Sequence, residues 1–240
     1  MIKNVIFDLD GTLLDTREGV IESAKYAAKE MGYSSLPHET MLTFVGPPIQ
    51  NSFMKHYGCD EETAQKAANI FRDYYKNKAL LLAEPYEGIY DLCKILKENG
   101  VKMSVATYKR EDYAQTLLRH FGFDKFCNPM HGADNNNILK KEDIVRMCQD
   151  EMGASGDSCV LIGDTDNDAK GAIKAHTKFI AVTYGFGFKN EKDVIDYPHI
   201  GIAHKPIEIK DIILGKKHNE KSYYHWSNRD SRNSNYSRIN

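Results

Sequence analysis

The chain opens with a short apolar run, Val5-Ile6-Phe7, that stops at Asp8 and Gly11. A run of this length bounded by polar and turn residues predicts a buried strand feeding a polar loop. Three more runs share the form. Residues 101–106 predict a strand ending at Thr107, residues 159–162 one ending at Gly163-Asp164, and residues 178–182 one ending before Gly185. A weaker strand is expected over 126–131. Between these runs, apolar residues recur at three- and four-residue steps over 89–97, 113–120 and 141–152, and each segment stops at a glycine (Gly100, Gly122, Gly153). These are helices with glycine C-terminal signals. Strands alternating with helices predict an α/β fold, a Rossmann-like parallel sheet between two helical layers.

Residues 16–84 break the alternation. Helices are expected over 18–31, 38–45, 49–57 and, as one long element, 61–82, with Gly46-Pro47-Pro48 as a breaker. Consecutive helices inside an alternating pattern predict an inserted helical domain that leaves the core near Asp15 and re-enters near Pro85. The expected division is a core of 1–15 and 85–215, a helical cap of 16–84, and a polar tail of 216–240. The tail carries six Lys/Arg and two Asp/Glu and has Ile239 as its one aliphatic residue, a composition that predicts a solvated, disordered appendage.

Bulk properties narrow the class. The chain of 240 residues is 41% hydrophobic and 28% charged, enough for an ordinary packed core. Its net charge of -2 gives no electrostatic reason to expect nucleic acid. Five scattered cysteines, none in a Cys-x-x-Cys pair, argue against a disulfide framework or zinc knuckle and predict a reducing, cytoplasmic setting. No apolar run is long enough to cross a bilayer, so a membrane partner is not expected.

Candidate chemistry lies at the strand ends. Asp8 and Asp10 are two apart after the first strand; Asp164 and Asp168 follow another. Strands of a parallel sheet end on one edge, where ligands bind, so the two acidic clusters should meet. Converging carboxylates need a cation or proton between them, and hard oxygen ligands without His or Cys suit magnesium. Such a site can run phosphoryl transfer. One carboxylate attacks phosphorus, a second protonates the leaving oxygen and then activates water, and Gly11's loop offers backbone N–H groups to the phosphate. A hydroxyl and a lysine would complete the site. Thr107 and either Lys140 or Lys141 are available. Singly, each has an ordinary explanation, as a turn, a helix cap or surface charge. Together, in this order and at these positions, they form a constellation.

That constellation resembles the haloacid dehalogenase-like hydrolase superfamily. Asp8-Leu9-Asp10-Gly11-Thr12 is similar to its first motif, Val105-Ala106-Thr107 to the second, Lys140-Lys141 to the lysine motif, and Gly163-Asp164 through Asp168 to the fourth. The helical insert resembles the cap of the phosphoglycolate phosphatase-like branch, and Phe44-Val45-Gly46-Pro47-Pro48 a cap loop seen there and in 5′-nucleotidases. The resemblance implies Asp8 as nucleophile and Asp10 as acid/base. It implies magnesium on Asp8, Asp164 and the backbone carbonyl of Asp10, with Asp168 in an outer position. Gly11, Thr12, Thr107 and a lysine, with Lys141 preferred, would bind the phosphoryl group. The family's usual residues after the motif-two threonine are replaced by Tyr108 and Arg110, so Tyr108 either touches the leaving group or packs under the cap. Arg17, Arg72, Tyr74 and Tyr75 are further cap candidates.

The implied activity is a magnesium-dependent phosphatase acting on a small phosphorylated metabolite. Asp10 favours phosphorus over carbon as electrophile, since the dehalogenase branch replaces it. A 5′-nucleotidase and a phosphosugar mutase stay open, as do the substrate and the oligomeric state. A non-catalytic binding module is disfavoured because every proposed catalytic position keeps the needed group.

Overall fold

A computed structural model describes residues 2–134 and 138–215; the tail 216–240 lies outside the described residues. In chain order the elements are β1 (Asn4–Phe7), β2 (Leu14–Asp15), α1 (Arg17–Glu30), α2 (His38–Leu42), α3 (Ile49–Tyr57), α4 (Glu61–Tyr74), a π-turn (Tyr75–Ala79), β3 (Glu84–Pro85) and α5 (Ile89–Glu98). Then come β4 (Lys102–Arg110), α6 (Glu111–His120), β5 (Cys127–Ala133), α7 (Lys141–Met152), β6 (Cys159–Gly163), α8 (Asp166–Lys174), β7 (Lys178–Val182), α9 (Glu191–Val194), β8 (Gly201–Ala203) and α10 (Ile209–Leu214).

Six strands form one sheet in the order β5-β4-β1-β6-β7-β8, all parallel. The strand order turns at β1, with β4 on one side and β6 on the other. A crevice opens at such a switch point, beyond the strands' carboxyl ends. β1 and β6 are buried along their whole length, which is why they read as unbroken apolar runs rather than alternating ones. Separate apolar clusters cover the two faces of the sheet. One holds Val5, Phe7, Leu92, Leu117 and Val160; the other holds Ile6, Ile144, Val145, Leu161 and Phe179. The alternation of Val5, Ile6 and Phe7 between them follows the period of two in a strand.

The helices α1 to α4 form a cap with an apolar cluster of their own. Ile21, Ala24, Met41, Phe44, Phe53, Ala64 and Ala68 are its buried members. Where the cap joins the core, Leu14 and Asp15 pair antiparallel with Pro85 and Glu84. Two expectations are corrected here. The long helix expected over 61–82 ends at Tyr74 and widens into the π-turn, whose Tyr75 and Ala79, with Leu80 just after it, pack onto the sheet's cluster rather than the cap's. The strand expected to stop at Thr107 runs on to Arg110, with its register against β5 shifting between Ala106 and Arg110. All five cysteines are free, and burial pushes the Cys93 and Cys148 thiols up to about 12. No helix among the described residues is long and apolar enough to cross a membrane.

One close contact ties this frame to the sheet edge. A Cβ on Gly171 in α8 would lie 2.5 Å from Cγ of Lys141 in α7. Gly171→Ala should therefore force the two helices apart and destabilise the fold by about 1–3 kcal/mol. Urea denaturation measures this, and an unchanged midpoint would show that the helices have room to spare.

Candidate active site

Asp8 follows β1 directly, and its N–H donates to the carbonyl of Ile162 at 2.8 Å, extending the ladder with β6 by one step. The chain then folds tightly around Leu9, whose carbonyl accepts from the N–H groups of Thr12, Leu13 and Leu14. Gly11 makes this turn at φ +80°, where an L side chain is strained, and a Cβ there would sit 2.3 Å from Oδ2 of Asp164. The glycine is thus needed twice, for the turn and for the approach of Asp164.

Lys141, the first residue of α7, is 2% exposed. Its ammonium lies 2.6 Å from Oδ1 of Asp8 and 2.6 Å from Oδ1 of Asp168. Lys140 caps α7 from outside and is exposed, so of the two candidate lysines only Lys141 reaches the carboxylates. Burial works against its charge, but Asp168 and Asp8 outweigh burial and hold the ammonium above the ordinary lysine range. Asp168 is fixed on its other oxygen, which accepts from the Thr165 N–H at 3.1 Å and the Thr165 hydroxyl at 2.6 Å in a capping box that starts α8.

Asp164 ends β6 and is fully buried. Its Oδ2 accepts from the N–H groups of Phe186 (2.6 Å) and Gly187 (3.0 Å), while its Oδ1 is buried with no hydrogen-bond partner. Burial pushes its carboxyl up to about 7, Asp168 adding to the effect against the donated N–H groups. Burial likewise pushes Asp8 up to about 8; Lys141 opposes this, while Asp168, Asp164 and Asp10 add to it. Three carboxylates therefore share one dry place with a single lysine, and oxygens of Asp8, Asp164 and Asp168 lie within 4.8 Å of one another. The orphan Oδ1 of Asp164 and this all-oxygen donor set fit a hard divalent cation such as magnesium.

Asp10 is oriented elsewhere. Its Oδ1 accepts from the Thr16 hydroxyl at 2.6 Å and meets the Lys109 ammonium at 2.9 Å. Its carboxylate is outside the Asp8, Asp164 and Asp168 group. Lys109 is nearly buried and lies 5.2 Å from the ring centroid of Tyr75 in the π-turn, a cation–π contact. Sequence reasoning missed both Lys109 and Thr16. The two lysines thus divide the carboxylates, Lys141 holding Asp8 and Asp168, Lys109 holding Asp10.

Asp8, Asp10, Thr107, Tyr108, Lys109, Lys141 and Asp168 line one cavity of about 550 Å³, closed from the cap side by Val45, Gly46, Pro47 and Pro48. Thr107 is buried, and its Oγ accepts from the Lys109 N–H at 3.1 Å, which leaves its proton free to donate. Tyr108 is 45% exposed. Gly11, Thr12 and Asp164 are not among the residues lining it: Thr12 is buried, and its carbonyl accepts from the Tyr184 hydroxyl at 3.0 Å. Among the cap candidates, Arg17 ion-pairs with Asp15 and stacks on Phe186, while Tyr74 stacks on Tyr26 at 4.2 Å. Neither Arg17 nor Arg72, Tyr74 or Tyr75 lines the cavity.

Removing the Lys141 charge should leave Asp8 and Asp168 buried without a cation. Lys141→Met is expected to cost about 3–5 kcal/mol of stability, measured by urea denaturation in EDTA. Adding Asp8→Asn should restore part of the loss. A double variant no more stable than the single one would show that the pair is not what holds this region.

Comparison with known proteins agrees with the geometry. A 5′-nucleotidase of Pseudomonas aeruginosa is 34% identical over 189 residues, 78% of this chain and 86% of the relative. The pyrophosphatase PpaX of Halalkalibacterium halodurans is 27% identical over 213 residues, 88% of this chain and 97% of its own. A crystal structure described as a predicted phosphatase from Clostridium acetobutylicum superposes with a TM-score of 0.79 at 34% identity, covering 90% of this chain and 99% of that one. The family model of the haloacid dehalogenase-like hydrolases matches residues 5–182, and the chain belongs to that family of hydrolytic enzymes.

Proposed function

We propose that the protein is a magnesium-dependent phosphatase that hydrolyses a small phosphomonoester through an aspartyl-phosphate on Asp8. The observation that carries this reading is the pairing of two carboxylates with two different lysines in one cavity. Asp8 is held by Lys141, and Asp10 by Lys109 and Thr16. That division gives two carboxylates two environments, which a nucleophile and an acid/base require. Family membership and the names of the relatives support the same reading.

In the first step a carboxylate oxygen of Asp8 attacks phosphorus and the bond from phosphorus to the ester oxygen breaks. Asp10 gives its proton to that oxygen, and the alcohol leaves. In the second step water attacks phosphorus, the bond to Asp8 breaks, and Asp10 takes the proton, so that inorganic phosphate is released and both carboxyl groups are restored. Thr107 and Lys141, both lining the cavity, hold the phosphoryl oxygens. Both contacts to Asp10 fall on Oδ1, which leaves Oδ2 to move the proton. Asp8, Asp164 and Asp168, with the backbone carbonyl of Asp10, would hold magnesium. When bound, the ion offsets the repulsion between the carboxylates and the incoming phosphate. Residues 16–84 act as the cap over this chemistry.

Asp8→Asn should abolish phosphate release from a generic phosphomonoester, with circular dichroism unchanged. Wild-type turnover in that variant would sink the mechanism. EDTA should stop the reaction and magnesium restore it; a rate indifferent to both would remove the metal.

A further inference from the structure

Lys109 is fixed at both ends. Its backbone lies in the part of β4 that runs on past Thr107, where its N–H donates to the Thr107 hydroxyl oxygen at 3.1 Å. Gly132 in β5 lets that extension come close, since a Cβ there would lie 2.6 Å from the Lys109 carbonyl oxygen. At the other end the ammonium has two neighbours, Asp10 Oδ1 at 2.9 Å and the centroid of the Tyr75 ring at 5.2 Å.

Tyr75 is itself clamped. The residue is 4% exposed, and its ring lies nearly parallel to Phe71 of α4 and edge-on to Tyr113 of α6, each at 5.8 Å. Gly19 in α1 gives it room: a Cβ there would lie 3.3 Å from the ring and 2.4 Å from the carbonyl oxygen of Ala79. Tyr75 opens the π-turn, a distortion frequent at functional sites, yet it does not line the cavity. Any effect it has on the chemistry must pass through Lys109.

Asp10 is the member of this chain that needs holding. Its side chain is 26% exposed, against 10% for Lys109. The last torsion of an aspartate is broad, so which oxygen carries the proton, and where it points, has to be fixed from outside. The Thr16 hydroxyl and the Lys109 ammonium both bond to Oδ1. With Oδ1 accepting from both, the acid's proton belongs on Oδ2.

We infer that Lys109 is a positioning residue: held by the Tyr75 ring, it turns the Asp10 carboxyl so that Oδ2 faces the leaving oxygen. This rests on the phosphatase reading above and adds Lys109 and Tyr75 to its acid/base step. In that step an oxygen of Asp8 bonds to phosphorus, the bond from phosphorus to the ester oxygen breaks, and the proton passes from Asp10 Oδ2 to that oxygen. An ester whose oxygen departs readily as an anion gains little from the proton, whereas an ester of an ordinary alcohol depends on it.

The test is phosphate release by the full chain with magnesium from benzyl phosphate, whose alcohol needs the proton, and from p-nitrophenyl phosphate, whose phenolate does not. Their rings are of similar size, and kcat/KM extends only to departure of the alcohol, so the benzyl to p-nitrophenyl ratio of kcat/KM reads the acid step. Asp10→Asn should lower this ratio by about 100-fold and Lys109→Met by about 10-fold. In the Asp10→Asn background Lys109→Met should lower it no further. Tyr75→Leu should lower it too, and Tyr75→Phe, which keeps the ring, should not. An unchanged ratio in Lys109→Met, with both esters slowed alike, would make Lys109 a substrate contact or a part of the fold and overturn the inference with the phosphatase reading intact. If Lys109→Met does not fold, an unchanged ratio in Tyr75→Leu has the same force. A ratio indifferent to Asp10→Asn would overturn the acid assignment and the inference together. No phosphate from either ester with the unaltered chain would overturn the phosphatase reading itself.

Discussion

The site turns on one ammonium group. Lys141 stands 2.6 Å from both Asp8 and Asp168, and is as deeply buried as they are. A buried charge is stable only when its partners and hydrogen bonds compensate it, so each member of this group constrains the others. Lys141 is aimed by the start of α7. Asp168 is aimed by the capping box of α8. Asp8 is aimed by the last rung of β1 against β6. Three separate elements are therefore registered against one another by these two 2.6 Å contacts. The price is three buried carboxylates served by one lysine: burial raises the pKa values of Asp8 and Asp164, and the neighbouring carboxylates add to it. That surplus of carboxylates is what makes the place receptive to a divalent cation.

Much of this was legible in the sequence because it rests on strand ends. A run such as Val5-Ile6-Phe7 can only be buried, and the polar residue that follows it must emerge at the sheet's edge. Asp8 and Asp164 were readable for that reason, and Thr107 was found by the end of an apolar run although β4 continues through it. So was α7, with a periodic face and a glycine stop. Lys109 was not. In Thr107-Tyr108-Lys109-Arg110-Glu111 it is one polar residue among several, and nothing local says that β4 continues past Thr107. The shift in register against β5 carries the strand on and leaves Lys109 beside Asp10. That is a tertiary effect.

Other elements were hidden for different reasons. No element was expected over the segment that forms α8, although Thr165 and Asp168 carry a capping signal three residues apart. In the sequence, Gly185 stood out only as the residue before which a strand ends, and Gly187 not at all. In the fold they let backbone N–H groups reach Asp164, and a Cβ at Gly185 would lie 2.4 Å from its carboxylate oxygen. The pair of strands β2 and β3 is two residues long on each side, below what a pattern of polar and apolar positions can register.

That smallest sheet has a consequence for how the inserted helices are seated. Antiparallel partners lie about 5 Å apart, so the chain leaves the core at Asp15 and returns at Glu84 through almost the same point in space. The segment between is anchored at these two adjacent stubs and again where Tyr75, Ala79 and Leu80 pack onto the sheet's cluster. Thr16, the first residue beyond the stub, also bonds to Asp10. Thr16 on Asp10 and Tyr75 on Lys109 therefore tie the seating of the inserted helices to the same carboxylate and its lysine.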